Sequence, residues 1–121
     1  MTKGKLFVIS GPSGAGKGTI CKEILEQDDT LKLSVSMTTR SPRDGEIDGV
    51  HYHFTNHKAF EALIAEDGFM EYAEVYGNFY GTPKKQVMDW LDAGINVILE
   101  IDVQGALQIK KSYPEGIFIF I

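Results

Sequence analysis

The chain has 121 residues, 43% of them hydrophobic and 24% charged, a balance that excludes a disordered chain and suits one ordinary domain rather than two. Its 12 basic and 17 acidic residues leave a formal net charge of −5, which argues against nucleic acid as the main partner, because gripping a polyphosphate backbone needs a basic surplus. A small polyanion stays open, since a pocket can be positive on a negative protein.

The single cysteine, Cys21, excludes an intrachain disulfide and suits a reducing compartment. The first apolar run, residues 6–9, is too short for a signal-peptide core or a membrane span. The expectation is a cytoplasmic protein without a membrane partner. Nothing in the sequence sets an oligomeric state.

Residues 5–10 form an apolar, β-rich run closed by Gly11-Pro12, as a strand buried in a parallel sheet requires. A helix follows, with Ile20, Ile24 and Leu25 on its apolar side and Cys21 as a small core residue. Residues 31–36 predict a second strand and residues 38–49 a loop rich in Thr, Arg, Pro, Asp and Gly. Tyr52 and Phe54 alternate with His51 and His53, which suits a half-exposed strand.

Thr55 or Asn56 can cap a helix bearing Phe60, Leu63 and Ile64 and stopped by Gly68. Phe69–Val75 and Phe79-Tyr80 flank Gly77-Asn78 and read as a hairpin. Thr82-Pro83 predicts a helix start, with a capping hydroxyl and proline at the first helical position. That helix places Val87, Trp90 and Leu91 in the core and stops at Gly94. Residues 95–101 are a strand, Val103–Ser112 a helix and 117–121 another apolar strand. The order argues an α/β fold, a parallel sheet with flanking helices, formed by residues 1–36 and 83–121, with a mixed β/α insert at 37–82.

Gly11-Pro12-Ser13-Gly14-Ala15-Gly16-Lys17 matches G-x-x-x-x-G-K and lies between a strand and a helix, the setting of a P-loop. Glycines let successive backbone N–H groups converge on one anion, and the following helix points its positive end at the same place. Lys17 adds a charge for the outer phosphates of a nucleoside triphosphate such as ATP. The next residue is Gly18 where the motif wants a hydroxyl, which arrives one place later at Thr19. Direct magnesium ligation from the usual position is therefore absent, and ligation through water, or Thr19 on a phosphate, is expected instead.

Glu100 and Asp102 end the strand at 95–101. Being two apart, they share a face at the strand end where ligands of parallel sheets bind. They can reach Mg2+ through water or accept hydrogen bonds from a substrate; Asp102 can equally cap the helix that follows. In the insert, Arg40 and Arg43 flank Ser41-Pro42 and can clamp a phosphate, with Tyr52 and Tyr80 adding hydroxyls. Glu71 can accept the paired N–H donors of a guanine edge, and Ser36 or Thr82 can donate to its carbonyl. Taken singly, each residue has an ordinary structural explanation. His51, His53 and His57 lack partners at the spacing of a closed zinc site.

Together these segments resemble guanylate kinase: Gly11 to Thr19, then Ser34-Val35-Ser36-Met37-Thr38-Thr39-Arg40-Ser41-Pro42-Arg43, Gly45-Glu46, Tyr52-His53-Phe54, Glu71, Gly77 to Thr82, and Ile101-Asp102-Val103-Gln104-Gly105. The resemblance implies ATP-dependent phosphorylation of GMP or dGMP with Mg2+. It implies that Ser36, Glu71 and Thr82 face guanine and that Arg40, Arg43, Tyr52 and Tyr80 hold the GMP phosphate. Glu100 and Asp102 would stand near guanine and metal, and Gly11 to Thr19 would hold ATP. Lys17, Arg40 and Arg43 would stabilise the transferring group. It also implies a longer protein, since the family continues into a mobile lid with further arginines, so that these residues alone would be an incomplete and weakly active portion. Two alternatives stay open: a kinase for another nucleoside monophosphate, and a guanylate-kinase-like protein-binding module. The joint presence of Gly16-Lys17, Arg40, Arg43 and Glu71 argues against the module, which has no need of them.

Overall fold

Strands and helices are interspersed along the computed structural model, which describes residues 2–12 and 16–121. In chain order they are β1 (Leu6–Ser10), α1 (Lys17–Gln27), β2 (Leu31–Leu33), β3 (Met37–Thr38), β4 (His53–Phe54), α2 (His57–Ala65), β5 (Phe69–Val75), β6 (Asn78–Pro83), α3 (Lys84–Asp92), β7 (Asn96–Ile101), α4 (Val103–Ser112) and β8 (Ile117–Phe120). The architecture is α/β. The chain divides into two compact units, residues 1–34 with 86–121 and residues 35–85.

The first unit holds a four-stranded sheet in the order β2-β7-β1-β8, with every pairing parallel. The inner strands β1 and β7 read as near-continuous apolar runs because both faces are covered, while the edge strand β8 leaves Ile117, Ile119 and Phe120 exposed. Phe7 and Ile9 project to one face, where Ile9, Cys21 and Ile98 form a buried cluster packed by Ile24, Leu25, Leu31 and Leu33. Leu6 and Val8 project to the other and are buried, as are Val97, Leu99, Val87, Leu91 and Ile109. Each such aliphatic side chain contributes about 2 kcal/mol of burial. Trp90, expected in the core, is only half-buried; Val87 and Leu91, four apart on α3, carry the inward stripe.

The strand expected over 31–36 leaves the ladder after Leu33. Ser34 N still donates to Ile98 O at 3.0 Å, and the next residue begins the other unit.

The second unit holds a mixed sheet in the order β4-β3-β6-β5, with β3 parallel to β4 and antiparallel to β6. Thr38, expected in a loop, is part of this sheet and fully buried. Its hydroxyl donates to Phe79 O at 2.9 Å. The core is aromatic: Phe60 has no exposure and stacks between Phe69, with ring centroids 4.3 Å apart, and Phe79, at 5.0 Å. Leu63 and Ile64, expected beside it, are half-buried. Asn56 caps α2, its side chain accepting Ala59 N at 2.8 Å.

Two turns differ from expectation. Val75 pairs with Asn78, so the hairpin turn is Tyr76-Gly77 and not Gly77-Asn78. Both turn residues have positive φ, 51° and 82°, as a two-residue turn matching the strand twist demands. After α2 the left-handed residue is Asp67, with φ 56°; Gly68 serves instead as a close approach, since a Cβ there would lie 2.5 Å from Leu63 Cδ2 and oblige that side chain to shift. The helix start expected at Thr82-Pro83 is displaced as well. Both residues belong to β6 and α3 begins at Lys84.

Candidate active site

In the first unit the site is built chiefly from backbone. α1 begins at Lys17 behind Gly16, whose φ of 89° is left-handed, a conformation glycine adopts at little cost. Asn56 and Asp102 each cap their helix with a side-chain oxygen, but Gly16 offers none, and the first turn of α1 carries no acid. Among the described residues no cap side chain or first-turn acid compensates the positive end of α1, which suits an anion. Ser13, Gly14 and Ala15, central to the expected cradle, lie outside the described residues. Gly11 is buried, and Pro12, Gly18 and Thr19 are exposed.

Lys17 is half-buried, with Nζ donating to Gly11 O at 2.9 Å and Ile101 O at 3.2 Å. Its ammonium is thus held between the end of β1 and the end of β7. Two neutral carbonyls are weaker partners than a phosphate, so this arrangement keeps the charge available at the strand ends.

Glu100 is half-buried beside α1, and a Cβ added at Gly18 would lie 3.4 Å from its Oε1. A cavity of 310 Å³ opens there, lined in part by Gly18, Cys21, Leu33 and Glu100. Burial, with the Glu100 charge adding to it, raises the Cys21 thiol to about 11, so Cys21 stays protonated near neutrality and serves as packing. Asp102 is exposed and caps α4, its Oδ1 accepting Gly105 N at 2.8 Å. The ordinary role weighed for it is thus occupied by one carboxylate oxygen.

In the second unit the site is made of side chains already paired with one another. Glu71 and Thr82 face each other across β5 and β6. Both are buried, and the Thr82 hydroxyl donates to Glu71 Oε2 at 2.8 Å. A charge held in an apolar interior costs stability unless it is hydrogen-bonded, and Thr82 provides one of those bonds. That cross-strand partner is why Thr82 is not a helix cap.

Arg40, Tyr52 and Tyr80 also come together. The Arg40 guanidinium lies 5.2 Å from the Tyr52 ring centroid, and the Tyr52 and Tyr80 rings meet edge-on at 6.1 Å. Arg43 is exposed and Ser36 is half-buried, with its carbonyl accepting His53 N at 2.8 Å.

Sequence reading passed over Glu46, although Gly45-Glu46 stood inside the segment compared. Its carboxylate takes Arg40 Nη1 at 2.8 Å and Nη2 at 3.0 Å, and also the Arg43 amide at 2.8 Å. The bonds to Arg40 come first among the causes that hold the Glu46 carboxyl at about 2, and the same bonds raise Arg40 above its ordinary value. A depressed carboxyl favours the folded state above its ordinary value of 4.5, and that contribution is lost as pH falls through about 2. The usable signal was an acid three residues after an arginine in a turn.

His51 Nδ1 accepts the Ile47 amide at 2.9 Å, and His57 Nε2 lies 2.9 Å from Gly77 O. Among the described residues no group of three or more His, Cys, Asp or Glu could hold a metal ion, and no helix is long and apolar enough to cross a membrane.

Comparison with known proteins gives a consistent result. A family model described as guanylate kinase matches residues 3–121. The chain is 60% identical over 119 residues to a guanylate kinase of Clostridioides difficile, covering 98% of this chain and 58% of that protein. It is 63% identical to one from Clostridium perfringens, with 98% and 55% covered. A crystal structure of guanylate kinase from Anaplasma phagocytophilum matches with a TM-score of 0.82 at 36% identity, over 99% of this chain and 60% of that one. The chain thus spans somewhat more than half the length of the relatives it matches.

Proposed function

This chain belongs to the guanylate kinase family, and from that premise we propose that it supplies the nucleotide-gripping portion of an enzyme that moves the outer phosphoryl group of ATP to GMP or dGMP, giving ADP and GDP. The observation that carries the base assignment is the buried Glu71–Thr82 pair. A carboxylate can accept two adjacent N–H donors, which guanine presents on N1 and N2 and adenine does not. Thr82 has one hydroxyl proton and gives it to Glu71. When guanine N–H groups satisfy the carboxylate, that proton becomes available to the guanine carbonyl. Ser36 is the further hydroxyl for the base.

Arg40, Arg43, Tyr52 and Tyr80 would hold the GMP phosphate, while the 11–19 loop and Lys17 would hold ATP. The acceptor is a phosphate oxygen already ionised at neutral pH, so no general base is required. The task is to bring two polyanions together and to stabilise charge on the group in transit. Lys17, Arg40 and Arg43 contribute to this through charge. The donor set suits Mg2+ carried on the ATP phosphates and reached through water from Asp102 and Glu100, where it would neutralise phosphate charge. A lone, buried thiol and an acidic surface fit a cytoplasmic enzyme of small nucleotides.

Calorimetry with GMP, AMP and CMP tests the reading. GMP should bind with at least a tenfold preference, about 1.4 kcal/mol, and preferential binding of AMP would remove the guanine assignment.

A further inference from the structure

Residues 40–46 are organised around one carboxylate. Glu46 Oε1 receives both Arg40 Nη1 and the Arg43 amide, Oε2 receives Arg40 Nη2, and the Glu46 amide returns a bond to Arg43 O at 3.0 Å. Further bonds fix Arg40 from the other side. Its amide donates to Thr38 Oγ1 at 3.2 Å, and Nη1 donates to Ser41 O at 2.9 Å. The guanidinium also lies over the Tyr52 ring.

A guanidinium has five N–H groups. Glu46 takes the Nη1/Nη2 edge and Ser41 takes the remaining Nη1 hydrogen. The two groups not used in those bonds, on Nε and Nη2, are the parallel pair of the neighbouring edge, the fork that matches two oxygens of a phosphate. Tyr80 stands close to the guanidinium as well and favours its charge.

We propose that Glu46 is the positioning residue of the phosphate grip, holding Arg40 by its outer edge so that the inner edge meets the substrate phosphate ready-made. The proposal rests on the reading of Arg40 as a phosphate ligand. Two effects oppose each other. A carboxylate near a phosphate repels it and cancels part of the arginine charge, and with side-chain exposures of 12% for Arg40 and 20% for Glu46 salt screens that repulsion only in part. Holding a long side chain in its bound rotamer removes an ordering cost that binding would otherwise meet in full. With Glu46 and the phosphate on separate edges of the guanidinium, orientation outweighs repulsion.

Calorimetry on the chain with GMP and with guanosine, which lacks the phosphate, tests this. Glu46→Gln should weaken GMP roughly tenfold and leave guanosine unchanged, because the base pocket is untouched. The double variant Arg40→Ala with Glu46→Gln should bind GMP no worse than Arg40→Ala alone, since Glu46 acts through Arg40. Should Glu46→Gln lose guanosine through misfolding, Glu46→Asp replaces it, with the charge kept, the reach one methylene shorter and the same tenfold loss expected. GMP binding that is equal or tighter without the carboxylate, or losses that add in the double variant, would overturn the positioning role. An Arg40→Ala variant that binds GMP normally would overturn the phosphate grip itself, and this role with it.

Discussion

On the proposed function, the two units would bind phosphorylated ligands by opposite means. In the 1–34 and 86–121 unit the candidate binding elements are chiefly backbone, a left-handed glycine at a helix start, joined by a lysine resting on two carbonyls. In the 35–85 unit they are side chains bonded to each other before any ligand arrives, as in the Glu71–Thr82 and Arg40–Glu46 pairs. A backbone site is written in local spacing, so glycines and a lysine at fixed intervals reveal it. A side-chain site is written in partners far apart in sequence and becomes visible only once strands have paired.

The hydrophobic supports differ in the same way, and that gives the largest predicted effect. The second unit centres on one ring, Phe60, stacked on Phe69 and Phe79. Phe60→Ala should destabilise that unit by about 4 kcal/mol, read as an early loss of protection in hydrogen exchange over 35–85, with β1 and β7 retaining theirs. Equal loss in both units would show that they unfold as one.

A smaller effect separates the two binding functions. Lys17→Ala should weaken ATP roughly tenfold or somewhat more while GMP affinity stays within twofold of the parent. Loss of GMP binding as well would mean that the substitution acts on folding, not on a phosphate contact.

The same contrast explains how much of the molecule was legible in its sequence. The strands of the first unit were clear because apolar runs such as 97–99, closed by turn residues, have one sensible place in a parallel sheet. The phosphate loop was expected from Gly11 to Lys17 set between a strand and a helix, and β1 and α1 do stand on either side of it. Thr82-Pro83 misled because threonine before proline is a good helix start locally; Glu71, eleven residues away, claims that hydroxyl instead. Thr38 looked like loop because a two-residue strand has no periodicity to read. Tyr76 was passed over for the turn because a bulky residue rarely takes positive φ, and only the Val75–Asn78 pairing forces it. Asp102 could be read as cap or as ligand, and Glu46 carried no role until its carboxylate was seen against Arg40.

The account depends most on Glu71 as the reader of the base. The most direct test is calorimetric titration of Glu71→Gln with GMP and AMP beside the parent chain. Replacing one acceptor oxygen by a donor amide should weaken GMP by about 3 kcal/mol, roughly a hundredfold, and leave AMP within twofold, collapsing the preference. A variant that keeps the parent's preference for GMP would contradict the claim.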